Sequence, residues 1–321
     1  MATSSIQLDF VTVDVFTNTR YKGNPLAIVK VPRSYTLSQD QKQAIAQEFN
    51  LSETTFLHER GSANQTITWT VDIFTPSGEL PFAGHPTIGT ACHAISEFSQ
   101  GGPGDGTVKA KFKVKAGLIH LEYDSPKNLA RASIPHDLHV HAKVWSRADL
   151  TQLQPRLAEG SRLGNFQLKE NYPIVSVVKG MTFVLIELED EEALNLVRTT
   201  DQSLAIDGLD EGWTDSFAGT YFYVQLADKE DEAKALRTRM IEGTFEDPAT
   251  GSAASDLAGY LSLQEGRPGQ TLKYVITQGV EMGRRSDINI EVVMADDSGI
   301  EYIYLVGSAV QVRKQSFSLH R

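Results

Sequence analysis

Two short stretches of this chain are spelled alike: Glu79-Leu-Pro-Phe-Ala-Gly-His85 and Glu246-Asp-Pro-Ala-Thr-Gly-Ser252. Glu, Pro and Gly fall in register at a separation of 167 residues, and each stretch runs into a helix-forming segment. Helix N-termini carry unpaired N–H groups and partial positive charge, so a carboxylate is well accommodated beside them. A chain that twice places a glycine turn at a helix start is expected to build one site from two halves.

The echo extends outward. Asp72-Ile-Phe-Thr-Pro-Ser-Gly-Glu79 and Arg239-Met-Ile-Glu-Gly-Thr-Phe-Glu246 keep the same offset and a similar strand-then-turn character. Gly23-Asn-Pro-Leu-Ala-Ile-Val29 has a looser partner in Gly180-Met-Thr-Phe-Val-Leu-Ile186. A repeat of about half the chain exceeds the ~20–50-residue periods of solenoids. A duplicated domain fits better. At 321 residues and 40% hydrophobic content the chain can bury two ordinary cores. Turn formers at Asp124-Ser-Pro-Lys-Asn128 place the boundary, giving domains 1–126 and 127–308, with 309–321 as a candidate completion of the first.

Charge and cysteine usage narrow the function classes. Net charge is −11, from 30 basic and 41 acidic side chains, and no basic run tracks phosphates; nucleic acid is not an expected partner. No apolar run approaches the roughly 20 residues of a membrane-spanning helix, and the first residues lack a secretory pattern. The single cysteine, Cys92, excludes an internal disulfide and fits a reducing compartment. The simplest reading is a soluble cytoplasmic protein.

Strand-like segments recur at Leu8–Phe16, Leu26–Val31, Thr66–Phe74, Val108–Val114, Leu118–Glu122, Ile174–Val178, Phe183–Leu188, Thr220–Leu226, Ala235–Ile241, Ile288–Val293 and Glu301–Val312. Many alternate apolar with polar side chains, which predicts mostly antiparallel sheets. Helices are fewer. Ser38-Gln-Asp-Gln41 is a capping box opening Gln39–Asn50. Pro86 sits at a helix start, where proline is tolerated, and Ile88, Ala91, Ile95 and Phe98 follow at helical spacing. Ala254, Leu257, Ala258 and Leu261 form the matching stripe in the second half. The expected fold is α+β: two pseudo-symmetric domains, each a curled sheet around a central apolar helix. Gly101-Gly-Pro-Gly-Asp-Gly106 is a flexible loop rather than a phosphate cradle, because it lacks the Gly-Lys-Ser/Thr ending.

No metal signature, nucleophile elbow or dinucleotide fingerprint stands out, so no metal or cofactor is expected; His136, His139 and His141 fall in a polar segment of loop or strand. Glu53, in Asn50-Leu-Ser-Glu-Thr-Thr-Phe-Leu57, lies just beyond the first helix in an apolar surround. A desolvated carboxyl there would have a raised pKa and could take and return a proton near neutral pH. On local sequence alone the plainer reading, a rim glutamate that starts a strand, is favoured, because charged residues are mostly exposed. His85 is either a donor to an anionic substrate or a turn histidine bonded to backbone, and its counterpart Ser252 is likewise a short hydrogen-bonding side chain. Asp247, before Pro248, either braces its turn or accepts from a substrate. Glu79 and Glu246 read as turn-stabilising acceptors.

Taken together, Val13-Asp-Val-Phe-Thr, Gly23-Asn-Pro-Leu-Ala-Ile-Val29, Leu51-Ser-Glu-Thr-Thr-Phe56, Phe74-Thr-Pro through Gly84-His-Pro86, and Glu246-Asp-Pro-Ala-Thr-Gly-Ser-Ala253 closely resemble the PhzF-like isomerase family of phenazine biosynthesis, related in fold to diaminopimelate epimerase. The matches span nearly the whole chain in the family's order. The resemblance implies two similar domains with the site in the cleft between them, a usual homodimer and no cofactor. Its best-understood member isomerises trans-2,3-dihydro-3-hydroxyanthranilate by a proton shift along the ring. By that likeness Glu53 would be the proton shuttle, His85, Asp247 and Ser252 would hold a small anionic metabolite, and the backbones of Gly84 and Gly251 would line its anionic end.

Two departures qualify the likeness. Related racemases use two facing thiols, or a thiol and a threonine, where the aligned turns here place Ala83 and Thr250. Alanine carries no proton, so two-base racemisation is not expected. Asp72 stands where many relatives show a basic residue, which argues against assuming the phenazine substrate. The leading expectation is therefore a cofactor-independent isomerase acting on a small carboxylate-bearing molecule. The alternative is a non-catalytic small-molecule or protein-binding module on the same fold.

Overall fold

The computed structural model describes residues 6–60, 67–99, 106–213, 217–227, 233–297 and 299–319. Residues 101–105 of the glycine-rich loop, and Thr66 at the expected strand start, lie outside them. The chain divides into two units, Met1–Ser133 with Val306–Arg321, and Ile134–Leu305.

The first unit runs β1 (Ile6–Val15), β2 (Asn24–Val31), α1 (Gln39–Phe49), β3 (Thr54–His58), β4 (Thr68–Phe74), β5 (Glu79–Leu80), α2 (Gly84–Ser99), β6 (Thr107–Val114), β7 (Gly117–Asp124) and β8 (Leu129–Ser133). Neighbours pair antiparallel except at β2–β3 and β4–β6, which are parallel. A parallel neighbour needs a crossover of about a dozen residues or more, commonly a helix. Here α1 and the β5–α2 segment supply the two crossovers.

Helix α1 begins as its capping box requires: the Gln41 N–H donates to Ser38 Oγ at 3.2 Å, and the Ser38 N–H donates to Gln41 Oε1 at 3.0 Å. It ends one residue before the expected Asn50, which adopts a left-handed cap at φ 48° and donates its N–H to the Ala46 carbonyl. Pro86 falls in the first turn of α2, where N–H groups have no intrahelical acceptor, so proline costs no bond.

Strand β1 is covered on both faces along most of its length. Leu8 and Phe10 join Ile45, Phe56 and Phe74 in a core beneath α1, while Val13 and Val15 meet α2 on the opposite face. Every residue of α2 from Gly84 to Ile95 is buried, and the helix packs against β1, β2, β3, β7 and β8. Gly89 makes that approach possible, because a Cβ there would lie 2.6 Å from Val15 and 2.7 Å from Leu26.

The second unit repeats this plan. After β9 (His139–Ser146), α3 (Arg147–Leu153) and α4 (Pro155–Arg162) come β10 (Asn171–Val178), β11 (Met181–Glu187), α5 (Glu191–Leu196), β12 (Phe217–Gln225), β13 (Lys234–Glu242), β14 (Phe245–Asp247), α6 (Gly251–Glu265), β15 (Thr271–Gln278), β16 (Ser286–Met294) and β17 (Ile300–Gly307). Pairings β11–β12 and β13–β15 are parallel; β10–β11, β12–β13, β13–β14 and β15–β16 are antiparallel. Each ladder from β10 to β16 thus has its counterpart from β1 to β7. Helix α6, buried from Ala253 to Gly259, packs against β10, β11, β15 and β16. Trp145, Leu157, Phe166, Tyr172, Val184 and Phe222 belong to the core beneath α3–α5.

The last strand, β18 (Ala309–Leu319), pairs antiparallel with β1, as β9 does with β10. The single strand expected over Glu301–Val312 is therefore two, interrupted at Ser308, whose carbonyl accepts the Phe16 N–H at 2.7 Å. The first unit also extends past the expected limit at 126, because β8 pairs with β7 and stays with it.

Candidate active site

In the first unit the chain leaves α1 through Asn50 and reaches β3 by Ser52 and Glu53, beside the first turn of α2. Glu53 Oε2 lies 3.3 Å from His85 Nδ1; the two side chains are 17% and 3% exposed. Burial lifts the Glu53 carboxyl from the usual carboxylate range to about 7, with the Ser52 side chain pulling the other way. A carboxyl balanced there is ionised in about half the molecules at neutral pH and can serve as base and then acid. Gly84, His85 and Glu53 are thus brought together at the start of α2, with Glu53 immediately before β3.

In the second unit Asp247, Gly251 and Ser252 share one turn at the start of α6. Thr250 Oγ1 donates to Asp247 Oδ2 at 2.7 Å. Gln278, from β15, clamps the turn: its Nε2 donates to the Asp247 carbonyl at 2.8 Å and to Thr250 Oγ1 at 3.0 Å, and its Oε1 accepts from Tyr221 Oη at 3.0 Å. Asp247 is held in place through its side chain and its backbone. Glu53 and His85 belong to one unit, Asp247 and Ser252 to the other.

Sequence reasoning missed Thr250, Gln278 and Tyr221 as the scaffold of this turn. Gln278 ends an alternating strand and gave no local signal. Asp256 was also missed, although a carboxyl within the apolar stripe of α6, one helical turn beyond Ser252, was visible. It is fully buried, both oxygens lack hydrogen-bond partners among the described residues, and burial pushes its pKa well above the ordinary value.

The turn glutamates are anchored. Arg239 grips Glu246 with two bonds of 2.8 Å, from Nε and Nη2, and donates from Nη1 to the carbonyls of Leu194 and Val197. Glu79 accepts from Lys115 Nζ at 2.8 Å. Asp72, the repeat counterpart of Arg239, is instead held by Lys42 at 2.6 Å and His58 at 2.8 Å. Burial alone would raise its pKa; His58 and Lys42 bring it below the ordinary value.

The positions aligned with racemase thiols offer no pair of bases. Ala83 has no acid group, and Thr250 is engaged with Asp247. Cys92 is buried in α2 with its thiol pushed up to about 12 by desolvation, which makes it a poor thiolate. Elsewhere, His139, His141 and Asp210 bring three metal-type ligand atoms together. No helix among the described residues is long and apolar enough to cross a membrane.

This chain belongs to the family described as phenazine biosynthesis-like protein, whose pattern it matches over residues 13–315. Among curated relatives, an uncharacterized isomerase of Mesorhizobium japonicum is 31% identical over 296 residues, covering 89% of this chain and 91% of the relative. The trans-2,3-dihydro-3-hydroxyanthranilate isomerase of Pseudomonas aeruginosa is 30% identical over 287 residues, covering 86% and 87%. The crystal structure of a PhzF-family phenazine biosynthesis protein from Bacillus anthracis superposes with a TM-score of 0.71 at 18% identity, covering 98% of this chain and all of that one. The fold is that of the PhzF family, and the relatives support an isomerase activity.

Proposed function

We propose that this protein is a cofactor-independent isomerase that shifts a proton within a small carboxylate-bearing metabolite. Glu53 takes a proton from a carbon of the substrate. The C–H electron pair moves into the adjacent unsaturation, and the same carboxyl returns the proton to a second carbon, so substrate and product are isomers. His85 steadies Glu53 and polarises the substrate, Asp247 and Ser252 hold its polar groups, and the N–H groups at Gly84 and Gly251 receive its carboxylate at the two helix starts. The observation that carries this reading is the buried Glu53–His85 contact, with a carboxyl poised at about 7. A placed acid–base group of this kind contributes roughly 10²–10⁴-fold.

The test is NMR in D2O, starting with trans-2,3-dihydro-3-hydroxyanthranilate and extending to other small unsaturated carboxylates. Deuterium should enter a ligand bound by the wild-type protein, and Glu53→Gln should bind that ligand without exchange. Undiminished exchange in Glu53→Gln would remove the shuttle. Tight binding with no exchange in either protein would leave the binding-module reading instead.

A further inference from the structure

We propose that His139, His141 and Asp210 form a binding site for a divalent transition-metal ion of the zinc class, which fastens the stretch around Asp210 onto β9. The two histidines are separated by one residue on a strand and so project from the same face. Asp210 arrives from the loop after α5. The three ligand atoms lie within 4.8 Å of one another: His139 Nε2 is 2.7 Å from Asp210 Oδ2, and His141 Nδ1 is 3.9 Å from it. Ligand atoms on a tetrahedral zinc, at bonds of about 2.0–2.1 Å, stand about 3.3 Å apart. The two contacts with Asp210 would each change by about 0.6 Å, and the two histidine nitrogens would close by at most about 1.5 Å, to make three zinc ligands with a fourth position for water.

The hydrogen bonds around His141 independently favour a ligand. The Asp210 N–H donates to its Nδ1 at 3.4 Å, so that nitrogen is the unprotonated one, and a metal would take its lone pair over from this long hydrogen bond. The proton is then on Nε2, which donates to Ser176 Oγ at 2.9 Å, and Ser176 in turn donates to Thr182 Oγ1 at 2.7 Å. A metal-binding histidine is ordinarily oriented in this way, through a bond from its other ring nitrogen. Trp213 stacks on His139 at 4.7 Å between ring centroids and shields one side of the cluster. The loop is already tethered here, because the Ala142 N–H donates to the Asp210 carboxylate and Ile206 enters the core of this unit. A metal would replace the His139–Asp210 proton with a stronger link between the same groups.

The test uses the full-length protein, stripped with a chelator and titrated with Zn2+ by calorimetry and with Co2+ by visible absorption. One equivalent should bind, with Co2+ giving the intense bands of a low-coordinate site. His139→Ala and Asp210→Asn, whose side chains are partly exposed, should each weaken binding by at least about tenfold, and Ser176→Ala by about 10–100-fold. His136→Ala should leave it unchanged. Circular dichroism of each variant confirms folding. Absence of stoichiometric binding, or binding indifferent to both His139→Ala and Asp210→Asn in folded protein, overturns the site.

Discussion

Replacing Glu53 with Gln should make the free protein more stable at alkaline pH while it disables the proposed chemistry. The folded-state pKa of this carboxyl is raised from 4.5 to about 7 by burial. Below about pH 4.5 both folded and unfolded chains hold the proton, and Glu53 costs nothing. Between the two values the folded state retains a proton that the unfolded state has released, so stability falls as pH rises. Above about 7 the full cost is present. At 1.36 kcal/mol per pKa unit the shift corresponds to about 3 kcal/mol. Glutamine has the same shape without the charge, so it escapes this penalty. Denaturant unfolding of both proteins across pH 4.5–8 measures the effect: Gln minus wild type should grow by about 3 kcal/mol toward pH 8, with its midpoint between the two pKa values. A pH-independent difference would show that Glu53 is not desolvated in the folded protein and would refute the basis of its raised pKa.

Two further perturbations test the surrounding framework. Arg239→Met should cost about 3–5 kcal/mol, because it leaves the Glu246 carboxylate buried without its cation; melting of Arg239→Met beside the double variant Arg239→Met/Glu246→Gln checks this, and the second change should recover part of the loss. Iodoacetamide should label Cys92 only after unfolding, since the thiol is buried and stays protonated; Cys92→Ala should retain proton exchange on any substrate found, as mass spectrometry and NMR respectively would show.

Much of the architecture was legible because it rests on local rules written twice. The glycine turns mark the starts of α2 and α6, the Ser38 box marks α1, and apolar residues on nearly every side of the two central helices announced their burial. Short elements were harder. Strand β3, Thr-Thr-Phe-Leu-His, has five residues and no alternation, so a strand start at Glu53 could be read but not its extent. Helices α3 and α5 had capping signals at Ser146 and Asp190, but too few residues for a hydrophobic stripe to show. Strand β15, Thr-Leu-Lys-Tyr-Val-Ile-Thr-Gln, carried a readable period-two pattern that was passed over.

The candidate site divides along the same line between local and long-range information. Glu53 and His85 were identifiable as residue types, yet their contact depends on how α1, β3 and α2 pack, and the burial that comes with that packing turns an ordinary glutamate into one poised near 7. Asp72 shows the converse. Its sequence announced a missing basic residue, and the structure supplies partners from elsewhere, Lys42 from α1 and His58 from β3. Where the second unit joins Arg239 to Glu246 within one hairpin, the first draws on three separate elements to settle the reversed charge. The repeat has therefore kept its backbone while rewiring its ion pairs. The chemistry of each half follows from which partners tertiary packing delivers, as the approach of Asp210 to His139 and His141 also illustrates.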